Sequence, residues 1–108
     1  MDLLNKKCVP CEGGVEPLGE AEAHKYLAEV LGWDLMEVGK KIEKNFKFKD
    51  FKAALDFINK VGELAEVEGH HPDIDLHNWN QVTLTLSTHA IGGLSENDFI
   101  LAAKIGRL

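Results

Sequence analysis

VTLTLS, residues 82–87, alternates apolar and polar side chains at every position. Such alternation is typical of a strand that buries one face and exposes the other. A second extended segment, residues 73–79, precedes it, and Asn80-Gln81 makes the connection between them short. Because strands joined by so short a connection run antiparallel, the two segments predict a β-hairpin.

An earlier hairpin is predicted over residues 33–48, with Gly39-Lys40 supplying its turn. Apolar residues at helical spacing predict three helices, over residues 19–31, 50–68 and 95–106. The second helix begins at Asp50 and the third at Ser95, both good N-cap residues. The order α-β-β-α-β-β-α predicts an α+β fold, with three helices packed on one face of a four-stranded antiparallel sheet.

Length and composition limit the class of protein. The 108 residues are 44% hydrophobic and 28% charged, which predicts a single domain over residues 1–108 with a mostly irregular leader over 1–18. The net charge of -6 argues against a nucleic-acid partner. No apolar run reaches the roughly 20 residues that span a membrane, and the N-terminus lacks a secretory signal. We therefore expect a cytoplasmic protein with no membrane partner.

Cys8 and Cys11 form one CxxC pair in the leader. One pair is half of a zinc site, and a redox CxxC usually follows a strand and opens a helix, unlike this one. Metal or redox function stays an alternative, with His24 as a conceivable third ligand. We favour the interpretation that the protein holds no metal.

Three histidines flank the second predicted hairpin. His70 and His71 come just before it and His89 just after it, so we expect their side chains to converge at one end of the sheet. Pro72 favours extended backbone at His71. Spacing alone leaves three interpretations open: acid–base catalysis near neutral pH, which we favour, zinc binding, and structural histidines.

Carboxylates crowd the end of the second helix. The helix dipole disfavours Glu63, Glu66 and Glu68 there. Glu66 lies four residues before His70, so the two would share a face if the helix ended late, and a hydrogen bond would fix the imidazole tautomer. We expect Glu63 and Glu68 to be solvated. Trp79 is predicted to be either a core or interface residue or a stacking surface for a flat heterocycle.

One long pattern joins these residues. It comprises Glu66, His70-His71-Pro72, Trp79, His89 and Asp98, with LTLSTH at 84–89 and GLSE at 93–96. The pattern resembles the pterin-4a-carbinolamine dehydratases, and the resemblance covers about residues 18–105. It implies the same α+β fold, homodimers that commonly pair into homotetramers, and no metal or cofactor. It also implies the reaction: dehydration of 4a-hydroxytetrahydropterin to quinonoid dihydropterin, which recycles the pterin of an aromatic amino-acid hydroxylase.

The resemblance implies roles for the site residues. His70 and His89 match the acid–base positions, His71 matches a further pterin contact, and Glu66 would orient His70. The positions implied to shape or bind the pterin pocket are Pro72, Trp79, Ser87, Thr88 and Asp98. Two positions depart from many animal members, which carry Asp at Gly69 and Arg at Asn97. Both departures are expected either to weaken polar contacts to the pterin or to change the preference for its side chain.

The resemblance also implies alternatives to catalysis. Some animal members are dimerisation cofactors of a homeodomain transcription factor, through a helix face. Some related proteins serve molybdenum-cofactor enzymes. A binding function of either kind therefore stays an alternative to the dehydratase.

Overall fold

The computed structural model of the chain describes residues 2–9 and 16–108. The helices are α1, Glu20–Leu27; α2, Phe51–Glu68; and α3, Glu96–Ile105. The strands are β1, Asp34–Met36; β2, Lys41–Lys47; β3, Asp73–His77; and β4, Gln81–Leu86. Short 3-10 turns cover Leu3–Asn5 and His89–Ile91. The predicted order α-β-β-α-β-β-α is confirmed.

The strands form one antiparallel sheet in the order β1-β2-β4-β3. The strand with strict alternation, β4, therefore lies inside the sheet, between β2 and β3. Val82, Leu84 and Leu86 are fully buried, whereas Thr83 and Thr85 lie on the more polar opposite face. The helices cover the apolar face, so the predicted α+β fold is confirmed.

Helix α3 is the most buried of the three helices. It contacts α1, α2 and the Leu3–Asn5 turn of the leader. Four consecutive residues, Phe99 to Ala102, are at most 1% exposed, as expected for a helix covered on several sides. Asn97 and Asp98, in its first turn, are buried as well. No helix in the described part of the chain is long and apolar enough to cross a membrane.

The start and end of α2 agree with the prediction. Asp50 Oδ1 accepts the Ala53 N–H at 2.7 Å, as an N-cap does. Gly69 ends the helix with φ of +66°, a left-handed conformation that glycine adopts without strain. Because this residue turns the chain, His70 and His71 leave the direction of the helix axis.

Three predicted boundaries are wrong. Helix α1 ends at Leu27 rather than at residue 31, because Glu29 and Val30 donate to carbonyls three residues back instead of four. The β3–β4 turn uses Asn78 and Trp79, with φ of 49° and 56°, rather than Asn80-Gln81. Positive φ at two successive residues suits the right-handed twist of a tight hairpin. The turn of the first hairpin covers residues 37–40, so it includes Gly39-Lys40 as predicted but begins two residues earlier.

Candidate active site

A cleft of about 250 Å³ opens where α2 ends and β4 ends. His70, His71 and His89 all line it. The register explains why: Asp73 pairs with Thr85, so the chain enters β3 and leaves β4 at the same end of the sheet. The predicted convergence of the histidines is therefore observed. The remaining lining residues are Val9, Gly69, Ser87, Thr88, Ala90 and Asn97.

His70 is held by a buried carboxylate. Its Nε2 lies 2.6 Å from Asp98 Oδ1, with the histidine side chain 11% exposed and the aspartate 0%. An ionised carboxylate only accepts hydrogen bonds, so Nε2 carries the hydrogen and donates it. The other ring nitrogen, Nδ1, is then the atom of His70 that can take up a proton.

Asp98 is itself fixed by two further donors. Its Oδ2 accepts the Thr88 hydroxyl at 2.8 Å and the Ser95 N–H at 3.0 Å. Because the Thr88 hydroxyl hydrogen goes to Asp98, the Ser95 hydroxyl donates to Thr88 Oγ1, at 2.7 Å. Asp98 thus joins the start of α3, the end of β4 and His70 in one buried network. Asp98 was predicted to shape or bind the pterin pocket. In the structure it does not line the cleft itself but contacts His70, which does.

Glu66 contacts a different histidine from the one predicted. Its Oε2 lies 2.5 Å from His71 Nε2, and both side chains are exposed, at 78% and 61%. The expectation that Glu66 orients His70 is wrong in this structure. The physical reason is the left-handed Gly69, which ends the helix before His70 can share its face.

Some of the remaining predicted site residues line the cleft, and others lie away from it. Ser87 and Thr88 are buried in the cleft wall, and His89 is exposed in the turn that follows them. Pro72 leads from the histidines into β3 and does not itself line the cleft. Trp79 is 61% exposed in the β3–β4 turn, separated from this end of the sheet by the length of β4, about 17 Å of extended chain. Trp79 is therefore not a core residue and does not line this cleft, while its predicted role at an interface stays a prediction.

Two residues near the cleft have contacts that were not predicted. Glu68, expected to be solvated, is 8% exposed and binds Lys104 Nζ and the Cys8 N–H. Burial alone would raise the pKa of Glu68, but these hydrogen bonds and the nearby Lys104 and Lys7 charges hold it below its ordinary value. Asn97, expected only to alter contacts with the pterin, bonds the Val9 backbone with both ends of its amide. A carboxylate placed unfavourably at a helix end was the sequence signal for Glu68.

Cys8 is buried. Burial, and the neighbouring Glu68 carboxylate, raise the pKa of its thiol from 9.0 to about 12. A thiol held protonated is a poor metal ligand and a poor nucleophile. Cys11, the other half of the CxxC pair, lies outside the described residues. Among residues 2–9 and 16–108, no three His, Cys, Asp or Glu side chains are placed to hold one metal ion.

A larger cavity of about 530 Å³ lies elsewhere, between the Leu3–Asn5 turn and the end of α3. Leu3, Val30, Trp33 and Phe46 line it together with scattered charges. It contains no histidine. The smaller cleft is the better candidate, because it gathers three imidazoles and a buried carboxylate network.

A family model described as Pterin 4 alpha carbinolamine dehydratase matches residues 16–108. The chain belongs to the pterin-4a-carbinolamine dehydratase family. A protein of Methylococcus capsulatus named "Putative pterin-4-alpha-carbinolamine dehydratase" is 49% identical over 106 residues, which cover 98% of this chain and 92% of that protein. The predicted family is therefore confirmed, and the matched region includes every cleft residue except Val9.

Two solved structures show the same fold. The "transcriptional coactivator/pterin dehydratase from Brucella Melitensis" is 34% identical, with a TM-score of 0.78, covering 85% of this chain and 97% of that chain. A "pterin dehydratase-like protein" described as a RuBisCO assembly factor of the alpha-carboxysome is 22% identical, with a TM-score of 0.60, covering 70% of this chain and 87% of that one. The second likeness concerns the fold alone.

Proposed function

We propose that this protein dehydrates 4a-hydroxytetrahydropterin to quinonoid dihydropterin and water by histidine acid–base catalysis. One observation carries the proposal: His70, His71 and His89 line a single cleft in a chain of the pterin-4a-carbinolamine dehydratase family. The proposed setting is tetrahydrobiopterin recycling in the cytoplasm, in the pathway of an aromatic amino-acid hydroxylase.

The proposed reaction needs two proton transfers. A proton goes to the 4a-hydroxyl, which leaves as water, and the N5 proton goes to a base while the C4a–N5 double bond forms. No redox step occurs, so imidazoles acting as proton donor and proton acceptor supply all the chemistry. His70 and His89 are the proposed acid–base pair, and His71 is a further pterin contact or proton donor.

The two proposed catalytic histidines differ in freedom. The buried Asp98 orients His70 and fixes its tautomer, which leaves Nδ1 as the atom of His70 that can exchange a proton. His89 is exposed in a turn and can move as the substrate binds. Thr88 joins the two, because it precedes His89 in the chain and donates to Asp98.

The test is the rate at which freshly generated 4a-hydroxytetrahydropterin loses water, followed by ultraviolet absorbance. We expect acceleration by the parent, and a loss of about 100-fold or more in kcat/KM in His89→Ala and in His70→Gln. His89 is exposed, so its truncation tests the chemistry without disturbing the fold. His24→Ala, a histidine exposed on α1, is the matched control and keeps the parent rate.

The alternative is a protein-binding function on the same fold. The Brucella structure, a "transcriptional coactivator/pterin dehydratase", supports this alternative. The same measurement separates the two, because a purely binding protein leaves the uncatalysed rate unchanged. A dehydratase instead loses its acceleration in the histidine variants.

We also propose that the chain assembles into a homodimer or homotetramer. Phe51 and Leu55 are 49% and 39% exposed on α2, and Ile74 is 40% exposed on the edge strand β3. Apolar side chains in such positions suit contact with a second copy. Light scattering of the purified protein tests this, and a monomer at micromolar concentration would refute it.

A further inference from the structure

Part of the N-terminal leader borders the histidine cleft. We call this part, residues 6–9, the strap. Val9 lines the cleft together with His70 and His71, although it lies about 60 positions away from them in the sequence, and it is 66% exposed. A molecule bound against the histidines therefore meets the strap as one wall of its site.

Asn97 holds the last residue of the strap by two bonds. The Val9 N–H donates to Asn97 Oδ1 at 3.0 Å, and Asn97 Nδ2 donates to the Val9 carbonyl at 2.7 Å. Asn97 is only 5% exposed. Because its planar amide makes both bonds, it fixes the distance and the orientation of Val9 relative to the start of α3.

A buried ion pair holds the preceding residue. The Cys8 N–H donates to Glu68 Oε1 at 3.0 Å, and Lys104 Nζ donates to Glu68 Oε2 at 2.8 Å. Nearer the start of the strap, Lys6 Nζ donates to Glu96 Oε2 at 2.8 Å. The strap is thus bonded to α2 and α3 through Lys6, Cys8 and Val9, which makes it a fixed wall.

The lining of the cleft differs between its two sides. Around the histidines it consists of imidazoles, the hydroxyls of Ser87 and Thr88, and small residues. Val9 is its largest aliphatic side chain, and it lies at the exposed rim. The reacting atoms of the pterin ring, C4a and N5, must lie beside the imidazoles, and a substituent at position 6 is carried by the carbon next to N5, so it can reach the wall that Val9 forms.

We infer that Val9 is a specificity-determining residue of the cleft, which selects among reduced pterins by the size of their ring substituent. Asn97 and Glu68 are positioning residues that hold Val9 in place. This inference rests on the proposed dehydratase function and deepens it.

The test compares two substrates, 4a-hydroxytetrahydropterins with a methyl or a longer substituent at position 6. In Val9→Ala we expect the ratio of the two kcat/KM values to shift about threefold or more towards the longer substituent. Val67→Ala is the matched control, since Val67 is 67% exposed at the end of α2 and does not line the cleft. An unchanged ratio in Val9→Ala would overturn the inference.

Glu68→Gln tests the positioning role. We expect the substituent ratio to shift in the same direction as in Val9→Ala, because the neutral amide has a single acceptor oxygen and cannot bind both the Cys8 N–H and Lys104 as the carboxylate does. A variant that only loses stability, with the ratio of the parent, would show that Glu68 has a structural role alone.

Direct binding separates this inference from the proposed function. Stable 7,8-dihydropterins with the same two substituents are titrated by calorimetry, and their Kd ratio is measured in the parent and in Val9→Ala. A shifted Kd ratio without accelerated dehydration would keep the inference and refute the dehydratase. If dehydration is accelerated but Val9→Ala changes neither the kcat/KM ratio nor the Kd ratio, the inference alone is refuted. If the parent shows no binding and no acceleration, both the inference and the dehydratase are refuted.

Discussion

Two neighbouring histidines meet carboxylates in opposite surroundings. His70 and Asp98 form a pair whose side chains are 11% and 0% exposed, whereas the side chains of His71 and Glu66 are 61% and 78% exposed. The distances are almost equal, at 2.6 Å and 2.5 Å. Distance therefore does not distinguish the two pairs, but access to water does.

The difference shows what each pair can contribute. Water screens the exposed pair and competes for its hydrogen bonds, so it is worth about 0–1 kcal/mol. The buried pair has no such competition, and removing one partner leaves a polar group without a replacement. We conclude that Asp98 controls the orientation of its histidine, and that Glu66 contacts an imidazole that is open to water.

The largest expected effect is that of Asp98→Asn. The amide cannot accept from His70, Thr88 and Ser95 in the way the carboxylate does, so the network breaks. We expect kcat/KM for dehydration to fall about 100-fold and the free energy of unfolding to fall by about 2–3 kcal/mol. Kinetics and urea denaturation check both values, and a variant with parent-like activity would remove Asp98 from the site.

Glu66 and Glu68 offer a second comparison of an exposed and a buried carboxylate, because they lie two residues apart on α2 and only Glu68 is buried. We expect Glu68→Gln to lower the free energy of unfolding by about 2 kcal/mol, because Lys104 loses its buried partner. The pKa of Glu68 is held below its ordinary value of 4.5, so its contribution is present above about pH 4.5 and is lost as pH falls through the folded-state pKa. Denaturation curves between pH 3 and 7 should thus be flatter in the acid range for the variant than for the parent.

Cys8 should show the opposite sign at alkaline pH. Burial raises the pKa of its thiol from 9.0 to about 12, so its stabilising contribution is present below pH 9.0 and is lost as pH rises towards 12. The loss approaches about 1.4 kcal/mol per pH unit in the parent and is absent in Cys8→Ala. Burial also raises the pKa of Tyr26, so both proteins lose stability through Tyr26 at alkaline pH. The difference between the stability curves of the parent and Cys8→Ala, measured in reducing buffer, therefore gives the contribution of Cys8 alone.

The smallest effect is expected for Glu66→Gln, the same chemical change as Asp98→Asn at the exposed pair. We expect less than about 1 kcal/mol in stability and less than about threefold in kcat/KM. If Glu66→Gln lowered kcat/KM and the free energy of unfolding as much as Asp98→Asn, exposure to water would not determine how much each histidine–carboxylate pair contributes.

The sequence predicted the fold well where a pattern was local. Alternation over residues 82–87 located the strand inside the sheet, and Asp50 and Gly69 marked the ends of α2. Turn positions were predicted less well, because Asn78 and Trp79 adopt left-handed backbone that their residue types do not demand. The histidines could be brought to one cleft from topology alone, since both their segments flank one hairpin.

The sequence by itself determined the family, the order of the elements and the end of the sheet at which the histidines meet. Only the tertiary structure decided which carboxylate serves which histidine, that Trp79 lies at the far end of the hairpin, and that Val9 borders the cleft. The His70–Asp98 pair and the bonds of the strap join residues 28 to 90 positions apart. No periodicity encodes such contacts, because burial and chain direction after Gly69 fix them once the whole core has packed.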